Sequence, residues 1–173
     1  VLAVQVTFLD DDYVEAPVHF AQVLLSTSPA ANQSTNGPYD HAEDVVVVAN
    51  ITDNNVAEVH VSTTEVSVIE GAAGAPVTFS LTSRPRAPVT VQLAGDDQVA
   101  PSTLQLVFDA SNWQTPRVVH VSALVDDLLE GAHSGRVSVQ VVTSDVAFAG
   151  ATVSDIEAAV IDSNDAELVL SPM

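Results

Sequence analysis

Two short stretches of this chain gather carboxylates at matched spacing. Asp126 and Asp127 are followed by Glu130 in ALVDDLLEGAHSG. Asp11 and Asp12 are followed by Glu15 in TFLDDDYVEAPVH. Other acidic residues stand in turn-like contexts: Glu70 before Gly71, Asp96 and Asp97 after Gly95, and Asp162 and Asp165 in VIDSND. Asp53 occupies the corresponding place in ITDNN. Carboxylates brought together repel one another, and their protonation is favoured unless a cation intervenes. A Ca²⁺ ion takes 6–8 oxygen ligands in flexible geometry, whereas Mg²⁺ demands a stricter octahedron. The chemistry expected of the clusters is therefore calcium binding. A second reading stays open beside it: aspartate and asparagine are ordinary turn residues whose side chains bond their own backbone.

Other chemistry finds little footing. The histidines, His19, His41, His60, His120 and His133, form no H-E-x-x-H or other recognised ligand pair. Period two points His60 and His120 outward from their strands, into solvent. There is no G-x-S-x-G, so the hydrolase elbow is missing. GAAGAP lacks the lysine of a phosphate loop and reads as a turn. Paired carboxylates can hydrolyse glycosides, but aromatic residues make up 5% of the chain, with one tryptophan to form a sugar platform. The expectation is that the chain is not an enzyme. Trp113 is expected to cap the core. Arg84, Pro85 and Arg86 read as a solvated turn, with a neighbour's carboxylates as the other partner considered.

Elements must hold these carboxylates in place, and the sequence reads as strands throughout. Apolar residues alternate in Val77-Phe79-Leu81, Val89-Val91-Leu93, Leu104-Leu106-Phe108, Val119-Val121-Ala123 and Val137-Val139-Val141. Turn signals separate these runs, and valine and threonine suit a pleated surface. The expected fold is all-β, an immunoglobulin-like antiparallel sandwich. In such a sandwich alternate loops gather at one end, so the acidic loops should converge at one pole.

The chain also repeats itself. The Asp11-Asp12-Glu15 cluster matches Asp126-Asp127-Glu130, and ITDNNVAEVHVS matches VIDSNDAELVLS, with a period of about 110 residues. That is the size of one sandwich. Residues 1–56 are expected to be the C-terminal strands of a preceding repeat. Residues 57–165 are expected to form a complete repeat, and 166–173 to begin the next. The polar junctions are too short for a flexible linker, so the expected object is a stiff rod of tandem units.

Composition bounds the partners. The 173 residues carry a formal net charge of −19, with four arginines and no lysine. Such a chain is repelled by nucleic acid and by anionic membrane surfaces, and no apolar run is long enough to insert into a bilayer. Cysteine is absent, which rules out disulfides and thiolate metal sites. Asn32 and Asn50 head N-x-[ST] triplets, the acceptor pattern for N-glycans.

The order of these motifs resembles the Calx-beta domain, a Ca²⁺-binding sandwich common in cell-surface proteins. VSVIEG, Gly95-Asp96-Asp97, VDDLLEG and VIDSND stand in the family's order, and FDASNWQTPRVVHV is similar to versions in large adhesin-like and algal mastigoneme-type proteins. Val125, Ser163 and Asn164 stand where the family's fuller motifs are acidic. The resemblance implies a Ca²⁺ site from Glu70, Asp96, Asp97, Asp126, Asp127, Glu130, Asp162 and Asp165. It implies a second, incomplete site from Asp11, Asp12, Glu15 and Asp53. It also implies a structural segment of an extracellular or cell-surface protein, in a filament, stalk or flagellar appendage whose partners are neighbouring repeats in a homopolymer. The alternative it leaves is a calcium-dependent adhesion module or calcium sensor.

Overall fold

A computed structural model describes residues 4–26 and 43–164. The expectations at Asn32, Asp165 and 166–173 lie outside the described residues. All regular structure among those described is β. The chain divides into two compact units: Val1–Val14 with Asn55–Met173, and Glu15–Asn54.

The smaller unit holds β1 (Val18–Leu25) and β2 (Val45–Thr52), paired antiparallel from Val18 opposite Thr52 to Leu25 opposite Val45. Its strands are apolar, yet Phe20, Leu24 and Val45 to Val48 are exposed.

The larger unit is a sandwich of two sheets. Its strands are β3 (Val59–Val61), β4 (Glu65–Ile69), β5 (Ala75–Leu81), β6 (Val89–Gly95), β7 (Val99–Pro101), β8 (Gln105–Phe108), β9 (Arg117–Ala123), β10 (Ala132–Thr143) and β11 (Ile156–Ile161). One sheet has the order β4-β11-β10-β6-β8, and the other β3-β5-β9-β7. The first edge is shared: β3 pairs with β5 in one sheet, and the chain then crosses to lay β4 parallel to β11 in the other. The remaining pairings are antiparallel.

The alternation read from the sequence is the alternation of burial. Val77, Phe79 and Leu81 point inward from β5, Val89, Val91 and Leu93 from β6, and Val119 and Val121 from β9. Phe108, Phe148 and Ile156 complete the core with Val137 and Val160. Each fully buried side chain of this size contributes about 1.5–3 kcal/mol. Leu104 differs from the expectation. It precedes β8 and is exposed, although its carbonyl already accepts the Leu93 N–H of β6 at 2.9 Å. Trp113 packs against the core as expected, and its carbonyl accepts the Leu81 N–H at 2.9 Å.

The arginine turn is not merely solvated. The Arg84 and Arg86 guanidinium groups lie 5.3 and 4.5 Å from the centre of the Tyr13 ring. The Arg84 N–H also donates to the Asp12 carbonyl at 2.7 Å. Planar cations stack well on an aromatic face, and Tyr13, next to the first acidic cluster, supplies one. This contact belongs to the larger unit and ties residues up to Val14 to the turn between β5 and β6.

Candidate metal centre

Topology decides which loops meet. Ile69 pairs with Ile161, Ile161 with Ala132, and Gly95 with Val137. So β4, β6 and β11 end at one pole of the sandwich, and β10 begins there. Glu70 follows β4, the loop 124–131 leads into β10, and Asp162 follows β11.

Two glutamates meet a histidine at this pole. Glu70, Glu130 and His133 each offer a ligand atom, and these atoms lie within 4.8 Å of one another. Both glutamates precede a glycine with positive φ, Gly71 at 70° and Gly131 at 73°. An added Cβ at Gly131 would meet nothing within 4 Å, so the backbone conformation, not space, demands glycine there. The turn it permits brings Glu130 and His133 back on themselves, with Oε2 to Nε2 at 3.4 Å.

Glu70 is the unusual member. It is 3% exposed, and neither carboxylate oxygen has a hydrogen-bond partner. A buried charge left unpaired is costly, and a cation is one partner that would relieve it. His133 is held in place by its own turn. Its Nδ1 lies 2.9 Å from the Gly131 carbonyl, an acceptor only, so Nδ1 carries the proton and Nε2 faces Glu130. The Gly131 carbonyl holds the His133 pKa above its ordinary value; burial opposes this, and Glu130, Glu70 and Asp162 add to it.

Asp162 frames the site through the backbone. Its Oδ2 accepts the N–H groups of Glu130 at 2.7 Å and Gly131 at 3.1 Å, and its Oδ1 accepts that of Asn164 at 2.7 Å. The amides of Asn164 and Gly131 hold its carboxyl below the usual range against the opposing effect of burial, helped by the Glu130 amide and by His133. Asn164 in turn donates from Nδ2 to the Asp126 carbonyl at 3.1 Å. The 124–131 loop is thereby tied to the exit of β11.

Two of the other expected ligands accept backbone amides. Asp96 accepts the amides of Gln98 and Val99 on Oδ1 and that of Arg136 on Oδ2. Asp126 accepts the Leu128 amide at 2.7 Å. Asp97 and Asp127 are exposed. Among the described residues none of these four joins a three-ligand group. His133, which belongs to no ligand motif in the sequence, is brought beside Glu70 and Glu130. The signal was present as Glu130-Gly131-Ala132-His133, three residues apart, but it has no standing as a motif on its own. His60 and His120 are exposed on β3 and β9, as expected.

The first cluster shows the same local bonds. Asp11 accepts the Tyr13 amide at 2.8 Å, as Asp126 accepts that of Leu128. In the smaller unit Asp53 accepts the Glu15 amide at 2.6 Å, and His19 Nε2 lies 3.3 Å from Glu15 Oε2. Asn50 lies exposed in β2, opposite Phe20.

No protein-family model matches the chain, and no curated protein sequence does. The chain is similar to several solved structures. The periplasmic chaperone SfaE gives a TM-score of 0.48 at 13% identity, over 66% of this chain and 60% of that one, so the chain spans less than two thirds of that protein. The apo-form Calx CBD1 domain gives 0.46 at 11% identity, over 63% and 99%. Domains 4 and 5 of the S-layer protein SbsC give 0.41 at 14% identity, over 84% and 70%. These likenesses are of fold alone. The fold is an all-β, immunoglobulin-like sandwich, and the chemistry of the pole rests on its own residues.

Proposed function

We propose that the chain is a structural segment of an extracellular tandem-repeat protein, a filament subunit or cell-surface stalk. In this reading its sandwiches are joined through acidic poles that a divalent cation stiffens. One observation carries it: the bond from the Glu130 amide to Asp162, beside His133, recurs as the bond from the Glu15 amide to Asp53, beside His19. Two hairpins of one chain, β1-β2 and β10-β11, thus carry the same acidic fastening. A recurrence of hydrogen bonds, and not of composition alone, is what a repeated building block leaves behind. On this reading β1-β2 closes a preceding sandwich as β10-β11 closes the one described, and the six residues 53–58 between β2 and β3 are the joint.

The cation follows from the charge. Loops bearing Asp126, Asp127, Glu130 and Asp162 at one pole, with Glu70 buried beneath them, favour an ion over open repulsion. Calcium at the concentrations met outside cells suits sites of about 10⁻⁴–10⁻³ M.

Small-angle scattering and thermal melting of the 173-residue chain, with calcium and with chelator, test the reading. A structural joint melts higher in calcium and keeps one shape across the physiological range. A saturable change of shape within that range would replace this reading with that of a calcium sensor or adhesion module. Equal melting in calcium and chelator would remove calcium from the joint and leave the repeat to be judged on its strands.

A further inference from the structure

We infer that Glu70, Glu130 and His133 form a three-donor site for a transition metal that accepts nitrogen, of which Zn²⁺ is the type. The inference rests on the reading of this pole as a cation site and changes which cation its built part selects. Calcium and magnesium take oxygen donors. Zinc takes imidazole nitrogen and carboxylate oxygen together, commonly four-coordinate, with three protein ligands and a water.

Four features of this pole meet those needs. The donor set is two carboxylates and one imidazole within 4.8 Å. The Glu130 Oε2 to His133 Nε2 separation is 3.4 Å, close to the roughly 3.3 Å that separates two ligands each about 2.0 Å from a tetrahedral zinc. The Glu70 carboxylate is nearly fully buried, unpartnered, and aimed at the other two. The His133 Nδ1–H is fixed on the Gly131 carbonyl, the outer bond that metal-bound histidines make and that leaves Nε2 as the ligand. Glu130 is exposed, so an ion can enter along it from solvent and a water can complete its shell, while the His133 Nε2 is buried with no hydrogen-bond partner. Bound there, the metal would clamp the end of β4 to the start of β10 and to the loop before it.

The smaller unit sets a limit on stoichiometry. Glu15 and His19 form the matching pair, but among the described residues no third ligand joins them. One tight site per chain is expected.

Zn²⁺ and Ca²⁺ are titrated separately into the 173-residue chain at about pH 8, where an ordinary imidazole is neutral. Calorimetry gives affinity and stoichiometry, and melting gives stabilisation. Zinc is expected to bind once per chain and to raise Tm at concentrations where calcium does not. His133→Gln and Glu70→Gln should each weaken zinc at least about 100-fold, more than the 10–100-fold typical of losing an outer-shell partner, while His19→Gln leaves the affinity unchanged. Co²⁺ absorption in the wild type supplies a second readout, since tetrahedral nitrogen–oxygen coordination gives intense visible bands that vanish in His133→Gln. That variant alters a half-buried side chain and keeps the test open should Glu70→Gln fail to fold. Calcium stabilising wild type and His133→Gln equally, with zinc no better, would overturn the nitrogen-donor site and leave the cation reading intact. Binding of neither ion would overturn both.

Discussion

Asp145 shows how one buried carboxylate can hold a loop without any ion. Its oxygens accept the amides of Arg86 and Ala87 from one turn and of Ala147 from its own. Burial pushes its pKa up, but the amides of Ala87, Arg86, Ala147 and Phe148 outweigh it and hold the carboxyl below its ordinary value. The contrast with Glu70 is physical. Both are buried carboxylates, but Asp145 has its donors in the protein and Glu70 does not. A group whose pKa is depressed on folding stabilises the fold above its unfolded value and loses that contribution as pH falls through the folded one. Asp145→Asn should therefore cost about 2 kcal/mol near neutral pH, the scale for unpairing buried amides. The gap to wild type should close as pH drops below about 4. Urea titrations of both proteins across pH check this, and a gap that widens in acid would show that the charge is not what the amides hold.

At the scale of elements, two apolar hairpins of one chain have opposite fates. β10-β11 is flanked by β6 and β4 and lies against a second sheet, so Val137, Ile156, Ala158 and Val160 are fully buried. In β1-β2, Phe20 and Val45 to Val48 stay exposed. Burial, not residue type, sets the cost of removing a side chain. Phe79→Ala, in the core, should destabilise the sandwich by about 3–5 kcal/mol. Phe20→Ala should change its stability by less than about 0.5 kcal/mol. Chemical denaturation of the two variants tests the contrast, and a large loss from Phe20→Ala would mean that β1 carries core packing after all. Which residues would alternate was legible in the sequence; which alternating strands would find a covering sheet was not, because that depends on partners distant along the chain.

For the whole molecule, the two compact units imply unequal protection of the backbone. A lone two-stranded hairpin is marginally stable in water, whereas strands buried between sheets open only with global unfolding. Amide hydrogen exchange should be slowest at β5, β6 and β9 and faster by several orders of magnitude at β1 and β2. Uniform protection across all these strands would contradict that division. The net charge of −19 acts at this scale too. It opposes close approach of like-charged surfaces.

The sequence by itself determined that the chain is all-β, that its strands alternate, and that one acidic pattern occurs twice, because period two, turn residues and repeated spacing are local properties. It also singled out Glu70 and Glu130 as expected ligands, through the motifs around them. Only the tertiary structure decided that Asp96 also takes the Arg136 amide from β10, that His133 comes within reach of the glutamates, and that Glu70 is buried without a donor. The last two turn on the parallel pairing of β4 with β11, which itself pairs with β10, so that β4 ends at the pole where β10 starts. Pairing between residues some ninety positions apart leaves no periodicity to read, so the site exists only once the sheet has formed.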